Sequence, residues 1–135
     1  MAEWLSTGWA AEVEETASSL PPVDGATGTI TLAIAVAKKQ ELSLSWCYVD
    51  GAASPARAGE GPPDLALTIA ATDAADIFTG QVEPSVSFMR GRLKATGDGG
   101  LLIGFLASTA SSGFADWRDG ALALADAGSR PQISS

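Results

Sequence analysis

The sequence has 135 residues, and its 46% hydrophobic content is enough for one domain with a real core. Eight Lys and Arg against 16 Asp and Glu give a formal net charge of −8, which argues against nucleic acid and anionic membranes as partners. The chain has no His and one Cys, which excludes the common zinc sites and the usual Ser-His-Asp triad.

Residues 3–20 are predicted to form an amphipathic helix, which Pro21 and Pro22 end. Its apolar residues are spaced four apart, namely Leu5, Trp9, Val13 and Ala17. Acidic residues occupy the positions where a secretory signal would be basic and apolar, and no run approaches the roughly 20 apolar residues of a bilayer span. We therefore expect a soluble protein that stays in the cytoplasm.

Three segments show the alternation of large apolar with small or polar residues that is typical of strands, at 27–37, 42–48 and 65–70. The polar turn Lys38-Lys39-Gln40 joins the first two into a hairpin with eight large apolar residues on one face. A weak strand is predicted over residues 55–58. Cys47 lies in the second main strand and is expected to be a buried structural thiol in a reducing compartment.

Two short helices are predicted next, one with Thr72 as its N-cap and Gly80 as its end, and one from Pro84 to Met89. Gly91 then leads into a strand over residues 92–96. The cations of this region are the only close set of three in the chain, Arg90, Arg92 and Lys94. They fit either a contact with an anionic head group or an ordinary solvated strand face.

The Gly97-Asp98-Gly99-Gly100 segment is predicted to be a tight turn with Asp98 as the N-cap of the next helix. A phosphate cradle is disfavoured, because no Lys-Ser or Lys-Thr follows and Asp98 would repel the anion. The next helix is apolar on almost every side from Leu101 to Leu106, so it needs cover. A last helix over residues 114–127 ends at Gly128, and residues 129–135 are expected to be a disordered tail after a single domain over 1–128.

The segment FMRGRLKATGDGGLL at residues 88–102 resembles the hallmark of the sterol carrier protein 2 (SCP-2) family. In that family an apolar pair, a variable residue, Gly, a basic residue, Leu, Lys and then Gly-Asp or Gly-Asn precede a helix. The resemblance covers most of the chain, with its specific part at residues 64–106. It implies an α+β fold with a five-stranded, largely antiparallel sheet that is covered by helices on one side, in a free-standing bacterial member.

The resemblance also implies an apolar tunnel, which would bind or transfer a fatty acyl chain, a sterol-like molecule or a phospholipid without covalent chemistry. No cofactor, metal, nucleic acid or stable membrane insertion is expected. The predicted lining consists of the large apolar residues around the hallmark, namely Phe78, Phe88, Met89, Leu101, Leu102, Phe105 and Leu106. Because a hollow and a filled core need the same inward residues, an interaction or accessory module that docks on a partner enzyme or forms a homodimer stays open.

Overall fold

The computed structural model describes residues 3–37, 40–56 and 62–129. Helices and strands follow one another in the order α1 (Thr7–Glu15), β1 (Gly28–Ala37), β2 (Gln40–Val49), β3 (Ala52–Pro55), β4 (Leu65–Ala70), α2 (Ala71–Phe78), α3 (Pro84–Met89), β5 (Lys94–Gly97), α4 (Gly99–Ser108) and α5 (Ser112–Ala123). Short 3₁₀ turns at Ala17–Ser19 and Ala127–Ser129 follow α1 and α5. The predicted α+β class is confirmed.

The five strands form one sheet in the order β3-β2-β1-β4-β5, so β1 lies at its centre. Three neighbouring pairs are antiparallel and one pair, β1 with β4, is parallel, which confirms a largely antiparallel sheet. The register places Leu32 of β1 between Leu44 of β2 and Leu67 of β4. Large apolar residues of the three central strands therefore line up across one face of the sheet.

The two faces of the sheet differ sharply in composition. Ile30 and Ile34 of β1 are fully buried on the inner face, whereas Ala35, Ser43 and Thr68 on the opposite face are exposed. The helices thus cover one side, because only that side offers apolar area to bury. Cys47 lies on the outer face, half-buried, with its Sγ 3.1 Å from the Ser54 Oγ. The prediction of a buried thiol is wrong, because strand alternation turns this side chain away from the core.

Helix α1 covers an edge of the sheet that β3 leaves open. Strand β3 pairs only with residues 46–49 of β2, and beyond that stretch the Glu14 carboxylate accepts a hydrogen bond of 2.8 Å from the Ser45 backbone N–H. The helix is shorter than predicted: it begins after Ser6, whose Oγ accepts from the Trp9 N–H at 3.2 Å, and ends at Glu15. The Ser6 side-chain cap fixes the start of the helix at Thr7, so Gly8 lies in its first turn.

Several predicted boundaries shift for local reasons. Helix α2 starts directly after β4 with Ala70 as its N-cap, so Thr72 as the cap is wrong. The strand predicted at 92–96 starts only at Lys94, because the Arg92 and Leu93 N–H groups both donate to the Ser87 carbonyl. The weak strand lies at Ala52–Pro55, and the last helix ends at Ala123. Ser129, predicted as the start of a disordered tail, instead ends the second 3₁₀ turn. The Lys38-Lys39 turn, residues 57–61 and the rest of the predicted tail lie outside the described residues.

Tyr48, the only Tyr in the chain, gives the fold a testable response to alkaline pH. Its side chain is buried in the core, and this burial raises its pKa above 10, although the Trp46 indole N–H that donates to its hydroxyl at 3.3 Å lowers it in part. Above pH 10 the unfolded chain loses the Tyr proton while the folded chain keeps it, so the free energy of unfolding falls as pH rises.

We expect urea denaturation to show this fall above pH 10 in the wild type and a shallower one in Tyr48→Phe. Because the two proteins share all other titrating groups, the difference between them isolates Tyr48. Tyrosinate absorbance of the folded wild type is expected to appear above the ordinary pKa. A folded-state titration at or below pH 10 would contradict the assignment.

Candidate functional site

An apolar cavity of about 50 Å³ lies between the inner face of the sheet and the helices. Its floor is the centre of the sheet and its roof consists of side chains from α2, α4 and α5. The floor residues are Leu32, Leu44, Trp46, Leu67 and Ile69. The roof residues are Ala74, Ile77, Phe78, Phe105, Phe114 and Trp117, with Leu20, Pro84 and Leu93 at the margins.

Leu32 is the floor residue that the roof leaves partly uncovered. It lies at the middle of the central strand, between Leu44 and Leu67, which are both buried. Ile30 and Ile34, two residues before and after it, are fully buried, whereas Leu32 is only half-buried. A residue at the centre of a covered sheet face has no route to solvent except through the cavity. The open part of Leu32 therefore faces the cavity.

Aromatic rings form most of the roof. The centroid of the Phe105 ring lies 5.5 Å from that of Trp46 in the floor, and the Trp117 centroid lies 6.0 Å from that of Phe78 and 5.7 Å from that of Phe114. These distances are typical of favourable ring pairs. One ring pair, Trp46 with Phe105, thus joins the floor to the roof beside the void.

Helix α4 is held in place by its N-cap and one glycine. The Asp98 carboxylate accepts a hydrogen bond of 3.0 Å from the Leu101 N–H, which confirms Asp98 as the N-cap. Gly104 lets α4 approach the segment before β1, because a Cβ there would lie 2.6 Å from the Val23 Cγ1. This close approach seats Phe105, the next residue, over the sheet.

The chemistry of the site is limited to apolar contact. The lining that the structure describes carries no ionisable side chain, so it offers no acid, base or nucleophile to a bound molecule. Within the described ranges, no three His, Cys, Asp or Glu side chains are grouped so that they could hold a metal ion. A cavity of this kind binds by removing hydrocarbon from water.

The structure brings together two of the seven predicted lining residues, Phe78 and Phe105, at the roof of the cavity. Leu101 is buried but lies beside Gly28 and not at the cavity, and Leu102 and Leu106 are half-buried at the margin of the core. The remaining two residues lie at the surface, where Phe88 is 36% and Met89 84% exposed. Helix α3 buries Pro84 and Ser87, three residues apart, and so directs these last two side chains outward.

The predicted lining omitted the other twelve residues that border the cavity, among them the floor leucines and Trp117. The alternation of β1, β2 and β4 did place the leucines on the inner face. However, only the packing of the helices decides which inward residues border a void, and no local pattern encodes that packing.

The family model described as the SCP-2 sterol transfer family matches residues 11–105 of the chain. A comparison with curated protein sequences gives no significant match. Among solved structures, a conserved hypothetical protein from Thermus thermophilus, described as a candidate sterol carrier protein, is 18% identical with a TM-score of 0.67, over 97% of this chain and 96% of that one.

Two further solved structures resemble this fold. A crystal structure of sterol carrier protein 2 is 18% identical with a TM-score of 0.63, over 87% of this chain and 98% of that one. The solution structure of palmitated SCP2L2 from Aedes aegypti is 16% identical with a TM-score of 0.51, over 77% and 89% of the two chains. At these identities the likeness shows the fold.

Proposed function

The chain belongs to the SCP-2 sterol transfer family, and we propose from this that it is a non-enzymatic carrier, which holds a hydrophobic ligand between the sheet and the roof helices. The ligand class is a fatty acyl chain, a sterol-like molecule or the tail of a phospholipid. Because the Aedes aegypti structure is described as palmitated, a fatty acyl chain is the ligand to test first. The single Cys fits a reducing compartment, and we infer a cytoplasmic location.

One observation carries the proposal, namely a wholly apolar cavity over the centre of the sheet, where Leu32 is half-buried between fully buried neighbours. Native interiors are normally filled to the density of organic crystals, so a void at the centre of the largest apolar face needs a reason. A hydrocarbon at this position gains roughly 25 cal/mol for each Å² of its surface that leaves water.

The size of the cavity sets a condition on the mechanism. Its volume of about 50 Å³ corresponds to roughly four water molecules at 10–15 Å³ each. Pockets that hold drug-sized ligands are about 300–1,000 Å³. Binding of a long chain therefore requires the roof helices to move away from the floor, which separates the ring pair of Trp46 and Phe105.

The small volume also favours a second candidate, a module with an essentially filled core that docks on a partner enzyme or a second copy. Native mass spectrometry of the freshly purified protein separates the two candidates. The carrier is expected to retain a lipid mass on the monomer. An empty monomer that binds no added fatty acid, or a tight dimer without lipid, would support the module.

A matched pair of substitutions on β4 tests whether the cavity is the binding site. Leu65 and Leu67 have the same side chain, the same inner face and nearly the same burial, but only Leu67 borders the cavity. We expect Leu67→Phe to fill the void with little change in stability and to weaken fatty acid binding about tenfold, which corresponds to a cost of about 1.4 kcal/mol for displacing the ring.

Leu65→Phe has no void to enter, so it is expected to cost about 1–3 kcal/mol of stability and to leave the affinity of the folded fraction unchanged. A fluorescent fatty acid titration measures binding, and urea denaturation measures stability. Wild-type affinity in Leu67→Phe would place the ligand elsewhere.

A further inference from the structure

We propose that the surface tip at residues 88–92, which ends α3 and leads towards β5, docks the protein on a bilayer with anionic head groups, so that the ligand is exchanged there. The inference rests on the proposed function, since it names the surface that delivers the ligand.

Cavity residues lie before and after the tip in the chain. Pro84, the first residue of α3, and Leu93, which follows the tip, both line the cavity. The chain leaves the cavity margin at one of these residues and returns to it at the other. Whatever surface the tip contacts is therefore brought within a short distance of the cavity margin.

Backbone hydrogen bonds hold the tip in a conformation that exposes its side chains. The Ser87 carbonyl accepts hydrogen bonds from the N–H groups of Arg92 at 2.9 Å and Leu93 at 3.2 Å. The Gly91 N–H donates to the Phe88 carbonyl at 3.0 Å, and Gly91 turns the chain at a φ of 74° that side chains rarely adopt. Met89, at 84% exposed, is the most exposed large apolar side chain that the structure describes. It stands on a hydrogen-bonded turn that holds it in water.

Positively charged side chains are concentrated in and beside the tip, where they could contact an anionic surface. The structure describes four Lys and Arg side chains; three of them, Arg90, Arg92 and Lys94, lie in or beside the tip, and Arg118 pairs with Asp119 at 3.3 Å. The net charge of −8 opposes binding to an anionic surface in general, but screening over about 8 Å limits the repulsion to charges near the contact. Asp73 and Asp76 border the same groove as the two tip Arg residues and weaken the positive potential.

An exposed apolar side chain flanked by cations fits the head-group boundary of a bilayer, where hydrocarbon and phosphate lie side by side. In the described part of the chain no helix is long and apolar enough to cross a membrane. In the proposed contact, Met89 and Phe88 enter the head-group boundary and the cations face the phosphates.

Vesicle sedimentation of the full chain tests the proposal. We expect binding to vesicles of equal parts phosphatidylcholine and phosphatidylglycerol, weaker binding to phosphatidylcholine alone, and a loss with added salt. Met89→Glu is expected to lower the partition into mixed vesicles about tenfold. The matched control is Val49→Glu at another exposed apolar residue, 57% exposed at the end of β2, and it should bind like the wild type. Asp73→Asn is expected to raise binding.

Fatty acid binding in solution and vesicle binding together distinguish a failure of the docking proposal from a failure of the carrier proposal. In solution, Met89→Glu is expected to bind a fluorescent fatty acid like the wild type, because its side chain lies outside the cavity. Equal vesicle binding by Met89→Glu and Val49→Glu, or no binding by the wild type, would overturn the docking proposal. A wild-type dimer in sedimentation velocity that Met89→Glu dissociates would assign the tip to a second copy and also overturn it. If neither the wild type nor Met89→Glu bound the fluorescent fatty acid, the carrier proposal would be overturned instead.

Discussion

Replacing Gly97 with Ala is expected to lower the free energy of unfolding by about 4 kcal/mol or more. Gly97 ends β5 with a φ of 126°, a conformation that costs a residue with a Cβ roughly 1–3 kcal/mol. A Cβ there would also collide with the Asp64 backbone carbonyl, which accepts a hydrogen bond of 2.9 Å from the Asp98 N–H. The methyl group thus disrupts the join of β4 and β5 at the start of α4.

Gly99→Ala is the matched control, two residues further on. A Cβ at Gly99 meets nothing within 4 Å, and the residue is the first of α4. Ala is expected to leave stability unchanged or raise it by about 0.5 kcal/mol, because it restricts the unfolded chain and favours the helix. Urea denaturation followed by circular dichroism measures both variants. Equal effects of the two substitutions would show that the backbone at Gly97 is not restrained in this way.

Features decided by neighbouring residues could be predicted from the sequence. The Gly97-Asp98 turn and its cap were predictable because a helix start, a glycine and a capping carboxylate interact within four residues. Strands β1, β2 and β4 were predictable because period-two alternation with one apolar face is itself a physical requirement of a half-buried strand. The large-residue face of the sheet followed from that alternation.

Features decided across the fold could not be predicted in the same way. Alternation identifies a strand but not its direction or its neighbour, so the parallel pairing of β1 with β4 left no local signal. Phe88 and Met89 resembled core residues by type. However, the burial of Pro84 and Ser87 on a helix of six residues fixed the opposite face outward. A short helix has too few residues for a periodic signal that tells its two faces apart.

The roof of the cavity packs against the N-terminal segment of the chain. Phe78 lines the cavity, and its ring also lies 5.5 Å from the rings of Trp4 and Trp9, centroid to centroid. Trp9 is fully buried, and its indole N–H donates to the Ala121 carbonyl of α5 at 2.9 Å. Helix α1 therefore holds two roof helices, α2 through Phe78 and α5 through Ala121, in their positions over the sheet.

Trp9→Ala is accordingly expected to cost about 3–5 kcal/mol of stability, through lost burial and the void left behind. The freed Ala121 carbonyl adds to this cost. Trp4→Ala is the matched control in the same aromatic cluster: Trp4 is only half-buried, so about 1–2 kcal/mol is expected. Trp9→Phe keeps an apolar ring and loses the hydrogen bond, so an intermediate cost is expected. Urea denaturation gives the three values. Equal costs for Trp4→Ala and Trp9→Ala would contradict a role for α1 in holding the roof, whereas the expected order would make the N-terminal helix a structural part of the cavity.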